Sequence, residues 1–204
     1  MIRLRVGKNC YRLGWLFVAA VAMALWLPSA ALAHTGGSVL GGFVSGFAHP
    51  IRGPDHFLAM LAVGIWGAQI GGRSVWMLPV VFPLIMAIGG FLGVMDLEVT
   101  HVELAVGLSV LVLGLAILAA WQAPEWLAII VVGAFAVYHG YAHGSELPRA
   151  ADPVAYGLGF VTATGLIHVA GIGFGLVLGR MAGGWISRAA GGAIALAGVY
   201  FLAG

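Results

Sequence analysis

Two short stretches hold most of the side chains in this sequence that could do chemistry. The first reads His49-Pro50-Ile51-Arg52-Gly53-Pro54-Asp55-His56. Imidazole nitrogens and a carboxylate are donors for divalent transition metals. Pro50 and Pro54 lack an N–H, so carbonyls one turn earlier lose their helical partners and are freed to face a cavity or an ion. Pro54 also suits the first turn of a new half-helix, with Asp55 at its amino end. That carboxylate reverses the sign of a helix terminus whose dipole would repel a cation. Arg52, three residues before Asp55, opposes a bound cation unless it points elsewhere. The second stretch reads Tyr138-His139-Gly140-Tyr141-Ala142-His143-Gly144-Ser145-Glu146. His139 and His143 are four apart on one helical face, and Glu146 follows at seven if the helix continues. One helix commonly offers two imidazoles to one metal at this spacing. No Glu follows His139, so the zinc-protease pattern with a built-in general base is absent.

Single residues extend the set. Glu103, close to His101 at the start of an apolar run, could help to balance a divalent charge, and Ser109 lies further in. His168, one to two turns after Thr162 and Thr164, is a candidate for a later station on an ion path. A lone buried histidine also serves as a hydrogen-bond partner between helices. Met60, one turn past His56, reads as core.

The elements that must position these residues follow from composition. Of 204 residues, 62% are hydrophobic and 8% are charged, whereas a soluble domain carries roughly 25% charged residues. Such a chain cannot cover a water-facing globule. It reads as an all-α, polytopic membrane protein embedded in a lipid bilayer, and disorder, coiled coil, collagen and soluble enzymes are excluded. The net charge of +2 is no signal for nucleic acid, because four of the nine basic residues (Arg3, Arg5, Lys8, Arg12) crowd the first dozen positions. That basic cluster, the apolar run Leu13 to Leu27 and Ala31-Leu32-Ala33 form the layout of a signal peptide over 1–33. The other reading is an uncleaved first span. Cleavage would remove Cys10, the single cysteine, and leave His34 at the mature terminus, where its amine and imidazole together can chelate a metal.

Residues 34–204 then form one six-helix transmembrane metal-transport domain. The predicted spans are Ser38 to Ile70, Ser74 to Met95, His101 to Trp121, Glu125 to His143, Pro153 to Leu178 and Met181 to Leu202. The first is too long for one straight span and is expected to break between Pro50 and Pro54. Interrupted helices with ion sites at the break recur in transporters. With the mature amino terminus outside, Arg73, Arg180 and Arg188 fall on cytoplasmic turns, while Arg149 shares the outer turns with Asp96, Glu98, Glu146 and Asp152, in agreement with the positive-inside rule. Glycines recur at four-residue spacing, among them Gly42 and Gly46, Gly67 and Gly71, Gly89 and Gly93, Gly140 and Gly144, and Gly171, Gly175 and Gly179; such spacing lets helices pack closely in a bilayer.

The stretches HPIRGPDHFLAMLAVG, YHGYAHGSE and GFVTATGLIHVAG resemble the HupE/UreJ family of hydrogenase and urease accessory membrane proteins, over essentially the whole mature chain. The resemblance implies a six-helix protein of the bacterial inner membrane with a cleaved signal peptide and a periplasmic amino terminus. It implies a nickel permease or facilitator rather than an enzyme, serving nickel-dependent hydrogenase or urease. It carries the metal-site role to His49, Asp55, His56, His139 and His143, and also to Glu103 and His168. Arg52 is a departure within the motif's variable positions. The donors alone, without thiolate, fit nickel, cobalt, zinc or divalent copper. No GxxxxGK[ST] motif is present, which argues against direct ATP drive. Two other classes stay open on the residues alone. One is a non-transporting membrane metal store or sensor that docks hydrogenase or urease maturation proteins. The other is a zinc hydrolase with Asp55, Glu103 or Glu146 as general base.

Overall fold

Apolar runs punctuated by glycine and proline set the helix boundaries. A computed structural model describes residues 39–147 and 152–204; the expected leader over 1–33 and His34 lie outside the described residues. Among the described residues the chain is helical without strands: α1 (Val39–Arg52), α2 (Pro54–Ile70), α3 (Ser74–Val94), α4 (Val102–Leu118), α5 (Glu125–Ser145), α6 (Pro153–Arg180) and α7 (Trp185–Ala203), with a 3-10 turn at Ala182–Gly184. The first expected span folds as two helices, so six apolar segments give seven. The break is narrower than the Pro50 to Pro54 interval. Pro50 lies inside α1, Gly53 alone is extended (φ −85°, ψ 103°), and Pro54 occupies the first turn of α2, where a missing N–H costs no hydrogen bond. Asp152 caps α6 by accepting a hydrogen bond of 2.7 Å from the Ala155 N–H. Gly183 and Gly184 both take positive φ. The last helix therefore starts at Trp185 rather than at Met181.

Helices α3, α5, α6 and α7 are long and apolar enough to cross a membrane, and α4 is a shorter apolar helix. Their outward faces are apolar too. On α3, Trp76, Val80, Leu84, Ile88 and Phe91 are exposed in a stripe, while Leu78, Phe82 and Met86 are buried. A surface stripe of that size is unfavourable against water and suited to hydrocarbon, so the chain reads as a multi-pass membrane protein.

The packing follows three pairings. Helices α1 and α2 run in succession along the longer α6 and in its direction, with Gly46 against the Tyr156 carbonyl and Gly64 against the His168 carbonyl. Helix α3 runs parallel to α5, and α4 runs antiparallel to α7, where Gly114 meets Ala195 and Gly198 meets Leu111. Helix α2 is central and touches α3, α4, α6 and α7. Its middle is buried on nearly all sides, with Met60, Val63 and Trp66 fully inaccessible; Met60 is core, as expected. The Trp66 indole N–H donates to the Trp121 carbonyl at 3.0 Å, which satisfies its one polar group.

Glycine matters most between α3 and α5. A Cβ on Gly140 would overlap the Met86 carbonyl, and one on Gly89 would overlap that of Val137. The two backbones thus touch at the very turns that carry His139 and His143. Two of the expected packing glycines do something else. Gly71 meets no neighbour and turns the chain at φ 78°, and a Cβ on Gly179 would face open space.

Candidate metal centre

The break at Gly53 brings two ends of helix to one place. His49 sits in the last turn of α1, Asp55 and His56 in the first turn of α2, and His139 and His143 on the closing turns of α5. The resulting cluster is compact. Imidazole centroids are 4.7 Å apart for His56 and His139, 4.3 Å for His56 and His143, and 4.8 Å for His49 and His143.

Ligand atoms in this cluster fall into two groups of three residues. In the inner group, His56, His139 and His143 each offer a nitrogen within 4.8 Å of the others; in the outer group, His49, His143 and Glu146 do the same with two nitrogens and a carboxylate oxygen. His143 belongs to both. Access is graded between them. His139 is fully buried and His143 nearly so, whereas the His49 and Glu146 side chains are 27% and 58% exposed, with Nε2 and Oε2 3.3 Å apart. The rings of Tyr156 and Phe160 wall the outer group, 5.8 and 6.2 Å from His49, and Phe160 lies 4.3 Å from His143.

Buried nitrogens without hydrogen-bond partners concentrate here. Among the described residues, His56 Nε2, His139 Nδ1 and both ring nitrogens of His143 have none. Desolvating a polar atom without a compensating bond costs about 1–3 kcal/mol, so several such atoms within one cluster fit a cation that supplies the missing partner. The ring of His56 is held for that purpose. Asp55 Oδ1 accepts from the His56 backbone N–H at 2.8 Å and lies 2.9 Å from His56 Nδ1. A carboxylate can only accept, so Nδ1 carries the proton and Nε2 presents its lone pair. A carboxylate behind a ligating histidine orients the ring and raises its basicity. Gly53 leaves room for this arrangement, since a Cβ there would stand 3.2 Å from Asp55 Oδ1 and 3.3 Å from His56 Nδ1.

The remaining residues singled out from sequence belong to neither three-residue group. Asp55 is the partner of His56 rather than a member of either three-residue group. Arg52 is exposed at the end of α1 and outside both groups. Glu103 is exposed in the first turn of α4, next to an exposed His101, and joins neither group. His168 is buried deeper along α6, with both ring nitrogens unpartnered among the described residues. It lies eight residues past Phe160, about 12 Å further along the helix axis at 1.5 Å per residue. The Phe82 ring touches both His139 and His168, its centroid 5.6 Å from that of His139 and 5.4 Å from that of His168.

Glu146, noted in sequence as the residue seven past His139 and as one candidate general base, joins the outer group. Its spacing of three from His143 was the available signal. Ser109 contacts His139 at 2.8 Å; no local pattern announces a contact between residues thirty positions apart.

A family model described as HupE / UreJ protein matches residues 21–201. Protein HupE of Rhizobium leguminosarum bv. viciae is 43% identical over 187 residues, which cover 92% of this chain and 97% of that protein. No solved structure matches.

Proposed function

The chain belongs to the HupE/UreJ family, and from that premise we propose that it is a nickel permease or facilitator of the bacterial inner membrane, supplying nickel for hydrogenase or urease maturation. The observation that carries this reading is the sharing of His143 between a half-exposed ligand group and a buried one. A static store needs a single closed site. Two groups with a common ligand let a cation pass inward without losing every protein ligand at once.

In this reading the cation first meets Glu146 and His49, where a carboxylate and an imidazole replace part of its hydration shell. His143 then joins, and His56 and His139 take over from the outer pair. Asp55 and Glu146 each bring one negative charge, which offsets the cost of moving a doubly charged ion out of water. Glu103 serves as an acidic residue near the entrance. It lies six residues before Ser109 on α4, about 9 Å towards the end of the bundle where α5 finishes. His168 serves as a deeper station. The transport domain then has six spans, with α1 and α2 together forming one broken span and the mature amino terminus in the periplasm. Histidine and carboxylate donors without thiolate also suit cobalt, zinc or copper; the family's accessory role in nickel-enzyme maturation favours nickel.

Proteoliposomes provide the test. Protein reconstituted with a nickel-quenched fluorophore in the lumen should quench it on addition of external nickel, and His56→Ala should slow quenching towards the protein-free rate. Binding of nickel without filling of the lumen would instead make the chain a metal-holding accessory protein that docks maturation factors.

A further inference from the structure

A neutral imidazole has one N–H and one lone pair, so a histidine ligand works only when its proton sits on the nitrogen turned away from the metal. For His56 the Asp55 carboxylate sets that choice. His139 has no carboxylate behind it. Its Nε2 lies 2.8 Å from Ser109 Oγ, and the same hydroxyl lies 2.6 Å from the Val106 carbonyl. A hydroxyl owns one hydrogen and a carbonyl owns none, so the hydrogen goes to Val106. Ser109 then has only lone pairs left for His139, and Nε2 must be the donor. The lone pair is thereby placed on Nδ1, the ring nitrogen of His139 that is buried without a partner. Both side chains are fully inaccessible, so water does not compete for either bond.

We infer that Ser109 is a positioning residue for metal binding: anchored on Val106, it locks His139 as the Nε2–H tautomer and leaves Nδ1 as the ligand atom of the inner group. This inference rests on the proposed metal role of that group and adds a part that touches no metal. The two inner-group ligands whose tautomer is fixed thus rely on different devices, a carboxylate on α2 for His56 and a back-bonded hydroxyl on α4 for His139.

The experiment compares the full-length wild type, Ser109→Ala and Ser109→Thr in detergent. Nickel titration should show affinity falling about 10–100-fold in Ser109→Ala, the range for loss of an outer partner of a ligating histidine. Ser109→Thr, whose hydroxyl can make the same bond back to its own helix, should restore it. Nitrogen NMR of histidine-labelled protein, with the His139 signal assigned from His139→Gln, should show protonated Nε2 in the metal-free wild type and a mixture of tautomers in Ser109→Ala. A purely structural serine would change thermal stability and leave the tautomer alone. A wild-type His139 protonated at Nδ1, or an Ser109→Ala variant with wild-type affinity, overturns the inference. Failure of the wild type to bind nickel at all would sink the transport reading instead, while the NMR result still decides the tautomer.

Discussion

Replacing His143 should damage metal binding more than replacing any other histidine of the cluster, because it alone serves both groups. The substitution to use is His143→Phe, which keeps a ring against Phe160, now 4.3 Å from that of His143, and avoids an empty buried site. Each group has three ligand residues. In His49→Phe the outer group falls to two and the inner keeps three; in His139→Phe the reverse holds. In His143→Phe both fall to two. Loss of even an outer-shell partner weakens metal binding by about 10–100-fold, or about 1.4–2.8 kcal/mol at 1.4 kcal/mol per decade. A ligand should cost at least as much, and His143→Phe incurs that loss at each position. Calorimetric titration of nickel into purified protein measures it. Double-mutant cycles sharpen the test: His49→Phe with His139→Phe should combine additively, being in different groups, whereas His143→Phe with either should not. A His143→Phe variant no weaker than His49→Phe, or strong coupling between His49 and His139, would show that the two groups are not separate positions joined by one ligand.

Three further outcomes follow. Asp55→Ala should release the His56 ring and raise the nickel Kd by about 10–100-fold; an unchanged Kd would remove Asp55 from the site. Gly140→Ala should force α3 and α5 apart at Met86 and cost about 1–3 kcal/mol of stability, read as a lowered Tm in detergent, and a variant as stable as wild type would mean the contact is looser than it looks. Uptake should fall as pH is lowered into the acid range, because protons and the cation compete for the same ring nitrogens; a flat profile in the proteoliposome assay would point to a route that avoids histidine.

The fold was legible where apolar runs met helix-breaking residues. The ends of α2 at Gly71, of α5 after Pro124 and of α6 after Asp152 all follow local chemistry. The exact break was not, since two prolines compete for it. Pro54 can start a helix, and Pro50, two residues before the end of α1, takes one N–H out of that helix without ending it. Gly53, which has no side chain to crowd Asp55 and His56, takes the extended conformation instead. Within the site, His139 and His143 were visible through their spacing of four, and His49 and His56 through the prolines around them. The division into two groups was not visible, because it depends on how α1, α2 and α5 meet. Ser109 shows the same limit: it is on a different helix from every ligand and is informative only through the direction of its hydrogen.

Helix order explains why the ligands can converge at all. A single straight helix places residues seven apart on one face but about 10 Å apart along its axis, a separation that the interruption at Gly53 lets the chain adjust. With the chain interrupted at Gly53, both imidazoles come within 5 Å of the His143 ring centroid, at 4.8 and 4.3 Å. Long α6 runs unbroken beside both pieces and holds them in line, supplying through Tyr156 and Phe160 the ring surface against which the cluster is shaped. Gly140 and Gly144 complete the arrangement from the other side, since only close packing of α5 on α3 fixes the turns that carry His139 and His143. The strongest structural demand of the site is therefore met by residues that ligate nothing: Gly53 opens the helix, and Gly140 holds the facing pair in place.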